Sequence, residues 1–95
     1  MITAKQRANL KSMANTLDPI LIIGKNGIEE NTIKQIKDSL EKRELIKIKI
    51  LNSAGISDED VLNRILTETR AEFVQFMGNK LTIYKKSKKK QKIFI

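Results

Sequence analysis

The chain contains neither cysteine nor histidine. Structural zinc sites, thiol nucleophiles and imidazole general bases therefore have nothing to be built from, and most familiar catalytic machinery is excluded. Long apolar runs are missing too: no stretch approaches the roughly 18 residues of a membrane span. The start, Met1-Ile2-Thr3-Ala4-Lys5-Gln6-Arg7, lacks the apolar centre of a secretory signal. Aromatic residues make up only 4% of the chain, so few rings are at hand for packing or stacking. These absences predict a cytoplasmic protein that is not an enzyme, with no cofactor, no metal, no small-molecule substrate and no membrane partner.

What the chain does have is basic charge. Nineteen Lys and Arg face eleven Asp and Glu, a net +8 that favours a polyanionic partner. Its distribution matters more than its sum. Seven lysines and no acid lie from Lys80 onward, leaving twelve basic against eleven acidic residues in 1–79. A length of 95 residues supports one core only, so we expect a single monomeric domain over 1–86 and a basic C-terminal tail over 87–95.

Hydrophobic periodicity sets out the elements. Thr3 and Gln6 form a capping-box signature for a helix running to about Ala14, with Leu10, Met13, Ala14 and Leu17 on one side. Asp18-Pro19 breaks the pattern, since proline disfavours helical geometry in the residue before it. Ile20, Leu21, Ile22 and Ile23 are unbroken aliphatics, which predicts a strand buried on both faces. After Gly24-Lys25-Asn26-Gly27, the spacing of Ile33, Ile36 and Leu40 predicts a helix ending near Lys42.

Residues 44–51 alternate, with Ile46, Ile48 and Ile50 on one face and Lys47 and Lys49 on the other, the pattern of a half-buried strand whose open face is wet and positive. Residues 57–60 form a second capping box, and Val61, Leu62, Ile65, Leu66 and Thr69 supply the buried stripe of a third helix. Residues 73–77 and 81–84 flank Gly78-Asn79, a hairpin signal. The order α-β-α-β-α-β-β predicts an α+β fold, an α/β two-layer arrangement in which a four-stranded mixed sheet carries its helices largely on one face.

Four features could carry function. In the turn Gly24, Lys25, Asn26, Gly27, two glycines permit close backbone approach and the next helix offers unpaired amides, so a phosphate could sit there. The same spacing also fits ordinary turn punctuation, and Glu29 and Glu30 in the following helical turn would repel phosphate unless they point aside. Lys47 and Lys49 share a strand face that Lys80 could join, and solvated strand lysines need no partner. Tyr84 could stack on a base or simply pack within the sheet. Lys85, Lys86 and the lysines beyond would neutralise phosphates without reading sequence, or act as a solubilising terminus. Asp58, Glu59 and Asp60 read as helix-capping acids with no nucleophile and base beside them.

Read as one block, Asp18-Pro19-Ile20-Leu21-Ile22-Ile23-Gly24-Lys25-Asn26-Gly27-Ile28, the helix after it, Leu40 and Glu44-Leu45-Ile46-Lys47-Ile48-Lys49 resemble the CRM family (chloroplast RNA splicing and ribosome maturation). The likeness continues through Val74-Gln75-Phe76-Met77-Gly78-Asn79-Lys80 to Tyr84, and the length is similar to that of the stand-alone bacterial YhbY-like members. The resemblance implies a fold similar to the C-terminal domain of translation initiation factor three with an added N-terminal helix. It also implies RNA binding through a GxxG loop likened to that of KH domains, and a role in ribosome biogenesis on ribosomal RNA of precursor large ribosomal subunits. By that carry-over Gly24, Lys25, Asn26 and Gly27 are the first RNA contacts, while Lys47, Lys49, Lys80, Tyr84, Lys85 and Lys86 stand as supporting candidates on residue type and position alone. The chain departs from the family pattern at Arg70, where a glycine usually closes the third helix, at Lys85, where arginine is common, and in its heavy lysine tail. A different class of function remains open on residues alone: a module that docks on a ribosomal protein or assembly factor.

Overall fold

A computed structural model of the chain describes residues 2–24, 28–51 and 58–88. They form α1 (Ala4–Ala14), β1 (Leu21–Ile23), α2 (Glu30–Arg43), β2 (Leu45–Ile50), α3 (Asp58–Thr69), β3 (Glu72–Met77) and β4 (Lys80–Tyr84), in the expected α+β order. The strands make one mixed sheet, β1-β2-β4-β3, with β1 parallel to β2 and the other neighbours antiparallel.

Alternation along the strands divides the sheet into two faces. Ile46, Ile48, Ile50, Leu81 and Ile83 point to one face and pack with Ile36 and Leu40 of α2 and Val61 and Ile65 of α3. Ten buried aliphatic side chains meet in that cluster, each worth on the order of 1.5–3 kcal/mol of transfer free energy. The other face belongs to α1, whose Leu10 and Ala14 are fully buried against Leu45, Val74 and Tyr84. Two helices thus share a face as expected, while the first lies across the back of the sheet.

Local rules explain the helix starts. Thr3 Oγ1 accepts from the Gln6 amide at 3.1 Å and Gln6 Oε1 accepts from the Thr3 amide at 2.8 Å, so the capping box of α1 is complete. The corresponding capping residue of α3, Ser57, lies outside the described residues. Met13 does not join the buried side of α1; it is 42% exposed, because α1 covers only one end of its sheet face.

A β-bulge arranges the edge strand β3. Phe73 pairs with Ile83 and Phe76 with Leu81, with a register shift between Phe73 and Gln75. Residues three apart on a regular strand point to opposite faces; the extra residue lets both rings pack on the main core while Val74 reaches the α1 side. Gly78 and Asn79, at φ 59° and 63°, form the left-handed pair that matches the twist of a two-residue hairpin.

Beyond α3, Arg70 occupies a left-handed conformation at φ 59°, and its amide donates to the Leu66 carbonyl at 2.9 Å. The helix is closed in the way a glycine would close it, by a residue with a Cβ. Relief of left-handed strain, less the extra chain entropy of glycine, should make Arg70→Gly more stable by about 0.5–1 kcal/mol. Thermal unfolding should therefore shift upward by a few degrees; a downward shift would mean that the arginine side chain contributes more than its backbone costs.

Candidate nucleic-acid interface

α1 covers only the Leu45–Tyr84 end of its face, and the other end is open. There the register aligns four residues side by side across the sheet: Ile22 opposite Lys49, Lys49 opposite Lys80, and Lys80 opposite Met77. With neighbouring strands about 4.8 Å apart, the row spans roughly 14 Å. Lys49 is half-buried and Lys80 exposed. Ile22 and Met77, at 60% and 68% exposure, are the most exposed large apolar side chains among the described residues.

Two like charges directly opposite on a sheet oppose folding. Among the residues of the described strands Glu72 is the sole acid, and it pairs with Tyr84 at the far end. A polyanion would relieve that repulsion.

Gly24 leaves β1 at this same open end, two residues past Ile22 and so roughly 7 Å farther along by strand rise. A Cβ built on Gly24 meets no atom within 4 Å, and its φ is not left-handed. The fold therefore does not require glycine at this position, and the space beside its backbone is open. Lys25, Asn26 and Gly27 lie outside the described residues. Thr32 Oγ1 accepts from the Glu29 amide at 3.3 Å where α2 begins, and Glu29 and Glu30 are both exposed.

Four further residues of interest stand apart from this row. Lys47 is on the same face and pairs with Thr82, but it is only 9% exposed rather than solvated. The chain leading from α1 shields it, and Leu17, Asp18 and Ile20 line a depression of about 330 Å³ beside it. Tyr84 is 5% exposed and packs in the α1 core, so its ring is not presented to a base. Lys85 turns its Nζ to the Thr69 carbonyl at 3.1 Å, satisfying an acceptor at the end of α3 where a cation is favoured by the helix dipole. Lys86 is exposed beside it, a strand length from Lys80. Lys37, Arg70, Lys85 and Lys88 border a cavity of about 510 Å³ at this end together with Glu41 and Glu68, a lining of mixed sign.

The tail is anchored at its root. The Ser87 amide donates to Glu44 Oε2 at 2.6 Å, Ser87 Oγ donates to Glu41 Oε1 at 2.7 Å, and the Lys88 amide to Glu41 Oε2 at 3.3 Å. Ser87 is accordingly buried, and folded chain extends past residue 86 to at least Lys88. The lysines after it and the apolar end, Ile93, Phe94 and Ile95, lie outside the described residues.

Burial pushes the Tyr84 phenol above its ordinary range, and the neighbouring Glu44 carboxylate adds to the rise. A raised folded-state value means that the neutral phenol is favoured by folding. Its contribution is complete below the unfolded value of about 10 and is lost as pH climbs through the folded value. Because Tyr84 is the one tyrosine of the chain and there is no tryptophan, ultraviolet absorbance reports its ionisation directly. The midpoint should lie above that of the urea-unfolded protein; coincident midpoints would contradict this environment.

Sequence reasoning missed Ile22 and Met77 as surface features. Ile22 sits in an aliphatic run that mimics a doubly buried strand, and only β1's position at the sheet edge, beyond the reach of α1, leaves it open. Among the described residues no group of three or more potential metal ligands converges, and no helix is long and apolar enough to cross a membrane.

Known proteins place this architecture. The CRS1/YhbY (CRM) domain model matches residues 2–85. "Probable RNA-binding protein YqeI" of Bacillus subtilis is 41% identical over 93 residues, spanning 98% of this chain and 97% of that one. An "RNA-binding protein" of Haemophilus influenzae is 34% identical over 86 residues, 90% and 87% of the two chains. The solution structure of a Staphylococcus aureus protein superposes with a TM-score of 0.82 at 43% identity, covering 100% of this chain and 99% of that one. With the match running from the first helix through the last strand, the chain belongs to the CRS1/YhbY (CRM) domain family.

Proposed function

We propose that this protein binds RNA, and that its target is ribosomal RNA in precursors of the large ribosomal subunit, where it acts in the cytoplasm as an assembly factor without catalysing a reaction. The observation that carries the reading is the directly opposed Lys49–Lys80 pair on an open sheet face, at the end where Gly24 leaves β1. The RNA-binding names of relatives that match nearly end to end support it.

The turn from Gly24 through Gly27 grips the backbone, the paired lysines hold adjacent phosphates, and Lys86 and the tail add affinity that does not depend on sequence. Lys47, Tyr84 and Lys85 act from behind, by fixing the strands and the end of α3.

Sedimentation of a cell lysate through sucrose gradients tests the ribosomal part. The protein should travel with large-subunit particles at low salt and be released as salt rises. Migration at the top under all conditions would refute the assembly role. Association with particles but not with protein-free ribosomal RNA would instead favour docking on a ribosomal protein.

A further inference from the structure

We infer that the row Ile22–Lys49–Lys80–Met77 takes an unpaired stretch of RNA, with phosphates at the two central lysines and bases against the two outer apolar side chains. This rests on the RNA-binding reading and names the kind of RNA that the sheet face selects.

Lysines alone would serve a duplex as well as a single strand, because both present phosphates. Ile22 and Met77 make the difference. A paired helix stacks its bases inward and offers sugars and phosphates at its surface, which gain nothing from an exposed aliphatic or thioether side chain. An unpaired nucleotide presents the face of its base, which apolar surface can shield from water. Methionine is well suited to such a contact, because its flexible, polarisable side chain interacts favourably with aromatic rings.

Position supports the same conclusion. The apolar residues flank the charges within one cross-strand row instead of standing elsewhere on the surface. Ile22 is also the end nearer Gly24, so a strand whose backbone is held at the turn runs directly onto the row. The opposite face of the sheet is filled by α2 and α3, and the rest of this face by α1.

Fluorescence anisotropy with a labelled single-stranded oligoribonucleotide, and with a hairpin duplex of equal nucleotide count, provides the test. The wild-type chain should prefer the single strand on the order of tenfold, the scale of one or two base contacts. Ile22→Thr together with Met77→Thr keeps strand propensity at two exposed positions and should bring single-strand affinity down to the duplex level, with duplex binding and salt dependence unchanged. Lys49→Gln together with Lys80→Gln should weaken both RNAs and flatten the salt dependence of both.

A wild-type preference for duplex, or a threonine variant with unaltered single-strand binding, would overturn the inference while leaving RNA binding intact. Loss of neither RNA in the glutamine variant would overturn the underlying choice of site. No binding of either RNA by the wild-type chain would overturn the RNA reading itself.

Discussion

Gly24→Asp should fold normally and lose most of its affinity for RNA. The folding half follows from geometry: the position has no left-handed φ to strain, and an added Cβ meets nothing within 4 Å. The binding half follows from charge. A carboxylate about 5 Å from a bound phosphate costs roughly 1 kcal/mol in water and about 3 kcal/mol at the effective dielectric of a protein surface, a loss of about 5- to 150-fold.

Gly24→Ala separates the two ways in which the turn can act. If RNA backbone comes close to the chain there, a methyl group alone should weaken binding several-fold. If the turn contributes only shape and nearby charge, alanine should be silent and aspartate should not. Circular dichroism and melting checks accompany both variants. A folded aspartate variant with wild-type affinity would remove the turn from the interface.

Glu44→Ala should have the largest effect on stability. Glu44 is fully buried, holds a positive φ of 65° at the end of α2, and accepts the Ser87 amide at 2.6 Å through Oε2. Its backbone carbonyl accepts the Lys85 amide at 2.9 Å, so one residue fastens the end of α2 to the chain leaving β4. Hydrogen bonds to charged groups contribute about 1.5–3 kcal/mol, and a buried amide left without an acceptor costs a similar amount.

Some of that loss is offset because alanine no longer requires a carboxylate to be desolvated. A net destabilisation of about 2–3 kcal/mol remains, which should lower the melting temperature of a domain this size by roughly 10–20 °C. Glu44→Gln retains an acceptor for Ser87 and should lose clearly less. An alanine variant within about 0.5 kcal/mol of wild type would show that the tail root is not coupled to folding.

The elements themselves were largely written in the sequence. Period-two alternation over Ile46, Lys47, Ile48, Lys49 and Ile50 assigned both the strand and the sides of its residues. The Thr3 and Gln6 pair located the start of α1, and Gly78-Asn79 located the hairpin. These signals are local, set by neighbours within a turn or two, and survive without knowledge of the fold. The family likeness added the expectation of an RNA-binding loop, and Lys47, Tyr84 and Lys85, offered as contacts on residue type and position, illustrate the limit of reading side chains without the fold. A lysine or tyrosine has the same identity whether it meets solvent, a helix above it or a carbonyl at a helix end.

Exposure was what sequence could not assign. Burial of Tyr84 depends on α1 crossing one end of the back face and that of Lys47 on the chain leading from it, and the openness of Ile22 depends on α1 stopping short of the other. Neither follows from local periodicity, because the helix reaches those strands across long separations in the chain. Net charge and element order were determined by the sequence alone. Tertiary structure decided which lysines share a row, since register sets cross-strand neighbours. It also decided which half of the sheet stays open, because a helix of eleven residues spans only about 16 Å and cannot cover the whole face.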